Sequence, residues 1–287
     1  MLQVARLAPT LLGESRDLVT AFLRHSILPD GGFRNRAAES DLYYTVFGLE
    51  GLLAFEASPP PEVASYLAGF ADGASLDFVH LTCLARAWAS IRREGAPLDV
   101  AARIAARIET FRSPDGGYAV APGAAHGSAY AAFLAVGALQ DLRASLPDPE
   151  GLRRSVQAGR AADGGYANHP GAIEGSTPAT AAAVMVLRHL DDAADSETAA
   201  WLLARCHTEG GFFAAPRSPV PDLLSTATAL HALSALHADV SPLREPCLDF
   251  VDSLWTSAGG FHGSWADDVL DCEYTYYGLL ALGHLSL

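Results

Sequence analysis

The chain has 287 residues, half of them hydrophobic, and a formal net charge of −14. That acidity excludes general nucleic-acid binding, which requires a basic surface to displace counterions. All 19 positive residues are arginine, so Schiff-base chemistry on a lysine and a Walker A phosphate loop are excluded as well.

No apolar run reaches the ~18 residues of a membrane span. The start, "MLQVARLAPTLLGESRD", lacks a basic stretch followed by an unbroken apolar one, so no signal peptide is expected and the cytoplasm is the expected compartment. Cys83, Cys206, Cys247 and Cys272 lie far apart without a CxxC, which suggests neither a disulfide framework nor a zinc knuckle.

Along the chain one turn signal recurs: "PDGGF" at Pro29, "ADGAS" at Ala71, "PDGGY" at Pro114, "ADGGY" at Ala162, "EGGF" at Glu209 and "AGGF" at Ala258. The first glycines step by 42, 43, 48, 46 and 49 residues, which defines six units of one repeat. Before each turn lies an amphipathic run with apolar residues three and four apart, as in "SETAAWLLARCH" and "EPCLDFVDSLW". After each turn comes an Ala- and Leu-rich run apolar on nearly all sides, as in "STPATAAAVMVLRHL". Such composition favours a helix buried all round.

Each unit therefore predicts an outer helix, a Gly-Gly turn, a polar loop and an inner helix. Six such hairpins close into an all-α (α/α)6 toroid, expected as one domain over residues 1–287. The inner helices are expected to open near Asp41, Asp77, His126, Glu174, Asp222 and Asp271, gathering six positive helix ends at one rim. Beneath that rim the wall draws on Tyr43, Tyr44, Phe47, Phe78, Trp88, Tyr130, Tyr276 and Tyr277. An aromatic cavity with a polar mouth suits an amphiphile with an anionic head and a hydrocarbon tail.

The turns and the Asp-x-x-x-Thr helix starts resemble the β subunits of protein prenyltransferases and, more distantly, class II terpene cyclases. The resemblance spans about Phe22 to Leu287 and is densest at "VPDLLST" and "LDCEYT". It implies an isoprenoid diphosphate as substrate, an α-type helical partner subunit and a zinc ion. Of the zinc ligands that the resemblance implies, only Asp222 is retained; Leu224 stands for the Cys and Tyr274 for the His. The zinc site therefore reads as lost, with no other cofactor expected. "DDVLD" (Asp267 to Asp271) has the look of a magnesium-diphosphate motif, but it straddles a loop and a helix start, and chance is the better account.

For the diphosphate the resemblance points to Arg217 and His126, with Arg34 and Arg36 of "GGFRNR" as substitutes, and Arg36 reads as the plainer loop charge. Tyr44, Tyr130 and Tyr277 are candidates for lining the tail pocket. Against the cyclase acid motif, Asp271-Cys272-Glu273-Tyr274-Thr275 places Glu273 as proton donor, since a buried carboxylic acid can protonate an alkene. The leading expectation is thus a zinc-independent, prenyltransferase-like protein with Asp222, Asp271, Glu273 and Tyr274 at its site. A Glu273-dependent cyclase and a non-catalytic toroid binding lipid or protein are the alternatives.

Overall fold

The computed structural model describes residues 1–92, 95–192 and 196–287. Two short helices, α1 (Leu2–Ala5) and α2 (Pro9–Leu12), precede the repeats. The six units then follow as pairs of outer and inner helices. They are α3 (Arg16–His25) with α4 (Leu42–Ala54), α5 (Glu62–Ala68) with α6 (Phe78–Ile91), and α7 (Leu98–Glu109) with α8 (Ala129–Asp141). The second half holds α9 (Pro149–Ala158) with α10 (Thr177–His189), α11 (Ser196–Leu203) with α12 (Leu223–Ala235), and α13 (Arg244–Leu254) with α14 (Cys272–Leu285). Each inner helix packs on the next, and α14 packs back on α4, so the ring is closed.

The repeated turn explains the closure. Its first glycine has positive φ in every unit, between 74° at Gly73 and 94° at Gly31, a region that other residues enter only with strain. At four turns glycine is also needed for a close approach to the next outer helix. A Cβ on Gly31 would lie 2.5 Å from the Glu62 backbone, and on Gly210 it would lie 1.9 Å from the Pro246 carbonyl oxygen. On Gly259 it would lie 2.2 Å from the Leu18 carbonyl oxygen, so the last turn seats on the first outer helix.

The Asp-x-x-x-Thr pattern is a double tie between turn and inner helix. Asp222 caps α12, accepting from the Ser225 N–H at 2.7 Å. Four residues on, the Thr226 hydroxyl donates to the Asp222 carbonyl and accepts from the Phe212 N–H at 2.9 Å. Thr45 with Phe33, and Thr275 with Phe261, repeat it. The turn aromatics so held (Phe33, Phe212 and Phe261) are at most 1% exposed between the two helical layers. Each contributes roughly 1.5–3 kcal/mol of burial.

Two expected boundaries shift. The third and fourth inner helices are capped by Ser128 and Ser176, two residues beyond His126 and Glu174. The loop stays extended until that point because the Gly127 and Gly175 N–H groups donate back to Asp115 and Asp163. The serine hydroxyls then supply the cap, accepting from Ala131 and Ala179. The first unit also adds a strand pair absent from the sequence reading, β1 (Phe33–Arg34) antiparallel to β2 (Ser40–Asp41).

Candidate functional site

The ring encloses a cavity of about 470 Å³, within the ~300–1,000 Å³ usual for small-molecule sites. It runs from the first turn of α4 and α8 to the last turns of α8 and α10. Tyr43, Phe47, Tyr130, Tyr276 and Tyr277 line one part of it. Phe47 ties them together, with ring centroids 4.9 Å from Tyr43 and 5.4 Å from Tyr277. Three expected wall residues lie elsewhere. Phe78 packs on Phe111 in the core, Trp88 is buried, and Tyr44 stands behind Tyr43.

Glu273 sits on the first turn of α14, directly behind that aromatic wall. Its carboxylate accepts from the Tyr43 hydroxyl at 2.6 Å, so its link to the cavity runs through Tyr43. Burial pushes the Glu273 carboxyl up to about 7, against the opposing effect of the Tyr43 bond, with the neighbouring Asp271 charge raising it further. The acid therefore titrates near neutrality, well above an ordinary glutamate, with a hydroxyl in place to stabilise its carboxylate.

Asp271 caps α14 by accepting from the Tyr274 N–H at 2.8 Å. Its other oxygen accepts from Arg36 Nε at 2.7 Å, and Arg36 also reaches Asp267 at 2.7 Å while lying over the Tyr274 ring. Arg36, the plainer loop charge by sequence, is thus tied to both ends of "DDVLD" and joins the first unit to the last. Burial nevertheless raises the Asp271 carboxyl above the usual range. Asp222 is raised in the same way and has both oxygens engaged by Ser225.

The expected diphosphate ligands do not converge. The Arg217 side chain is 84% exposed and ion-paired to Glu174 at 3.0 Å. His126 is exposed beside Asp115, Arg34 is exposed at the end of β1, and none of the three lines the cavity. The residues present do not suit zinc either, because Asp222 is occupied by its cap and Leu224 and Tyr274 offer neither thiolate nor imidazole. Among the described residues no three His, Cys, Asp or Glu side chains gather as a metal site.

The other end of the cavity was missed by the sequence reading. There Arg86 is clamped between Glu50 at 3.0 Å and Asp141 at 2.6 Å, and all three line the cavity. The signal was present: Glu50 and Arg86 are charges inside otherwise apolar inner helices, and such charges need partners in the interior. Nearby, His231 contacts His284 at 2.9 Å, and burial lowers them to about 3 and about 4, so both imidazoles are neutral.

The model of the family described as "prenyltransferase alpha-alpha toroid domain" matches residues 15–77, 85–212 and 179–286. No curated protein matches the sequence. Among solved structures, a variant of the type II terpene cyclase MstE from Scytonema, in complex with its substrate geranylgeranyl dihydroxybenzoate, superposes with a TM-score of 0.63. It has 14% identity over 97% of both chains. Candida albicans protein geranylgeranyltransferase-I, complexed with GGPP, gives 0.53 and 14% identity over 99% of this chain and 81% of that one. A D-mannose isomerase gives 0.70 and 13% over 97% and 98%. At such identities the likeness is one of fold, and the chemistry has to be argued from the site.

Proposed function

We propose that this chain, which belongs to the prenyltransferase alpha-alpha toroid family, binds an isoprenoid in its aromatic cavity and cyclises it by protonation from Glu273. The observation that carries this is the contact between a carboxyl raised to about 7 and a cavity-lining phenol. When Glu273 is protonated, the same 2.6 Å contact can run in reverse, Glu273 O–H to Tyr43 oxygen. The phenol O–H is then free to turn to the cavity and pass its proton to an alkene carbon while taking the one from Glu273. The π electrons form the new C–H bond and leave a tertiary carbocation. A second alkene closes the ring, the cyclised cation gives a proton to water, and water returns one to the Glu273 carboxylate, so the acid is restored and no oxidant or cosubstrate is consumed.

The surroundings support each step. Aromatic faces stabilise cationic carbon, and Tyr43, Phe47, Tyr130, Tyr276 and Tyr277 supply them at this end of the cavity. The Tyr43 hydroxyl, with Arg36 farther off, stabilises the carboxylate that remains. The diphosphate form of the transferase reading has weaker support, because Arg217, His126 and Arg34 stand outside the cavity. Neither zinc nor an α-type partner subunit is needed by the cyclase reading.

The test is incubation of the purified chain with geranylgeraniol and squalene, with analysis for cyclic isomers of unchanged mass. Glu273→Gln should lose about 10²–10⁴ of the rate, the usual worth of a positioned acid. Cyclic product at the wild-type rate from Glu273→Gln would remove the assignment.

A further inference from the structure

Glu50, Arg86 and Asp141 have no part in that proton transfer, yet they border the same cavity. Arg86 lies deep in the ring, and 37% of its side chain is nevertheless accessible, surface that it shows to the cavity. Glu50 and Asp141 engage Nη1 and Nε, which fixes the plane of the guanidinium. The remaining arm, Nη2, lies beside Gly137, a residue of the cavity wall whose missing side chain leaves room there. A guanidinium held by two side chains with a third arm toward a cavity is preorganised to donate to an oxygen.

The charge around that arm selects the kind of oxygen. The lining carboxylates Glu50 and Asp141 face the lining cations Arg86 and Arg188 and the Met1 amino group, whose hold on its proton burial weakens, while His231 and His284 are neutral. The last turns of α8 and α10 also end here, and helix C-termini carry partial negative charge. A diphosphate, with its several negative charges, would meet two carboxylates and those helix ends at close range, with little net positive charge to offset them. A hydroxyl can accept from Arg86 and donate to Glu50 or Asp141. Exposed Arg188 and His189 border this end, so the cavity approaches the surface beside it.

We infer that the Glu50–Arg86–Asp141 end of the cavity binds the uncharged oxygen of an isoprenoid alcohol, holding the hydrocarbon chain toward Tyr43 and Glu273. This rests on the cyclase reading only in taking the chain to be an isoprenoid.

The experiment compares equilibrium binding of geranylgeraniol, its diphosphate and the matching polyene without oxygen. The wild type should prefer the alcohol over the polyene by roughly ten- to a hundred-fold, the range of one hydrogen bond to a charged group, and should bind the diphosphate least. Gly137→Ala, whose new methyl would lie 3.3 Å from Arg86 Nη2, should abolish that preference. It adds a better helix former within α8, so the fold should not suffer. Arg86→Lys keeps a cation between the carboxylates but loses the third arm, and should behave alike. Equal affinity for alcohol and polyene in the wild type overturns the inference, as does a preference that survives both variants or a diphosphate bound most tightly. These outcomes leave the cyclase reading standing, because that reading is judged by Glu273→Gln turnover. If no isoprenoid binds at all, both fall.

Discussion

Arg36→Met cuts the tie between the first and last units while keeping an apolar stem over Tyr274. The two lost contacts differ in worth. The one to Asp271, whose side chain is 3% exposed, removes a charge-assisted hydrogen bond from a buried carboxylate, about 1.5–2 kcal/mol after allowing for the 38% exposure of Arg36 itself. The one to Asp267, 20% exposed, adds up to about 1 kcal/mol. The expected loss is therefore about 2–3 kcal/mol. At about 2.1 cal/mol/K per residue a chain of this length unfolds with an entropy near 0.6 kcal/mol/K, so the melting temperature should fall by about 4 °C. Calorimetry at neutral pH reads this directly. Because Arg36 also lowers the Glu273 pKa, the midpoint of the pH–rate profile should move up in the same variant. A melting temperature within about 1 °C of wild type would refute the view that this contact holds the seam.

The site carries four further expected outcomes. With Glu273 active as the acid at about 7, the cyclisation rate should be flat below that pH and fall about tenfold per unit above it. The same raised pKa means that the folded state binds this proton more tightly than the unfolded chain at ~4.3, so the stabilisation is fully present below ~4.3 and is lost as pH rises through about 7. Glu273→Gln should therefore gain melting temperature relative to wild type at pH ~8 and not at pH ~4, and an equal difference at both would contradict the shift. Asp222→Ala should cost about 1 kcal/mol by loss of the α12 cap, read by urea unfolding, with no change expected in isoprenoid affinity. Arg217→Ala, at an exposed pair, should alter stability by less than about 1 kcal/mol and leave isoprenoid uptake unchanged; a clear drop in uptake would return the head group to that loop.

The ring was legible because its grammar is local. Gly31, Gly116 or Gly259 announces a positive-φ turn, and Asp41, Asp222 or Asp271 announces a helix start. Ser128 and Ser176 are the less conspicuous candidates beside the polar ring of His126 and the charge of Glu174, although a serine caps equally well. Glu273 came into view only through the resemblance of Asp271 to Thr275 to the cyclase acid motif, not through any local rule of turn or cap. The partnership of Glu273 with Tyr43 spans 230 residues, and that of Arg86 with Glu50 and Asp141 joins three units. Nothing in local spacing encodes which helices face one another across a ring. Arg36 shows the same limit: beside Asn35 it reads as a loop charge, and its meaning comes from Asp267 and Asp271.

The seat of Gly259 on Leu18 has a consequence for how the chain comes into being. The five other seams join consecutive units, so each can form as soon as the next hairpin leaves the ribosome. The sixth joins segments about 240 residues apart, which at roughly 5–20 residues per second are made some 12–50 seconds apart. Through that interval the flank of α3 around Leu18 and Phe22 has no mate, and a second nascent copy can offer it one. Ring closure is then a contest between the chain's own sixth turn and a neighbour's, which slow translation or high local concentration would tilt toward domain-swapped assemblies.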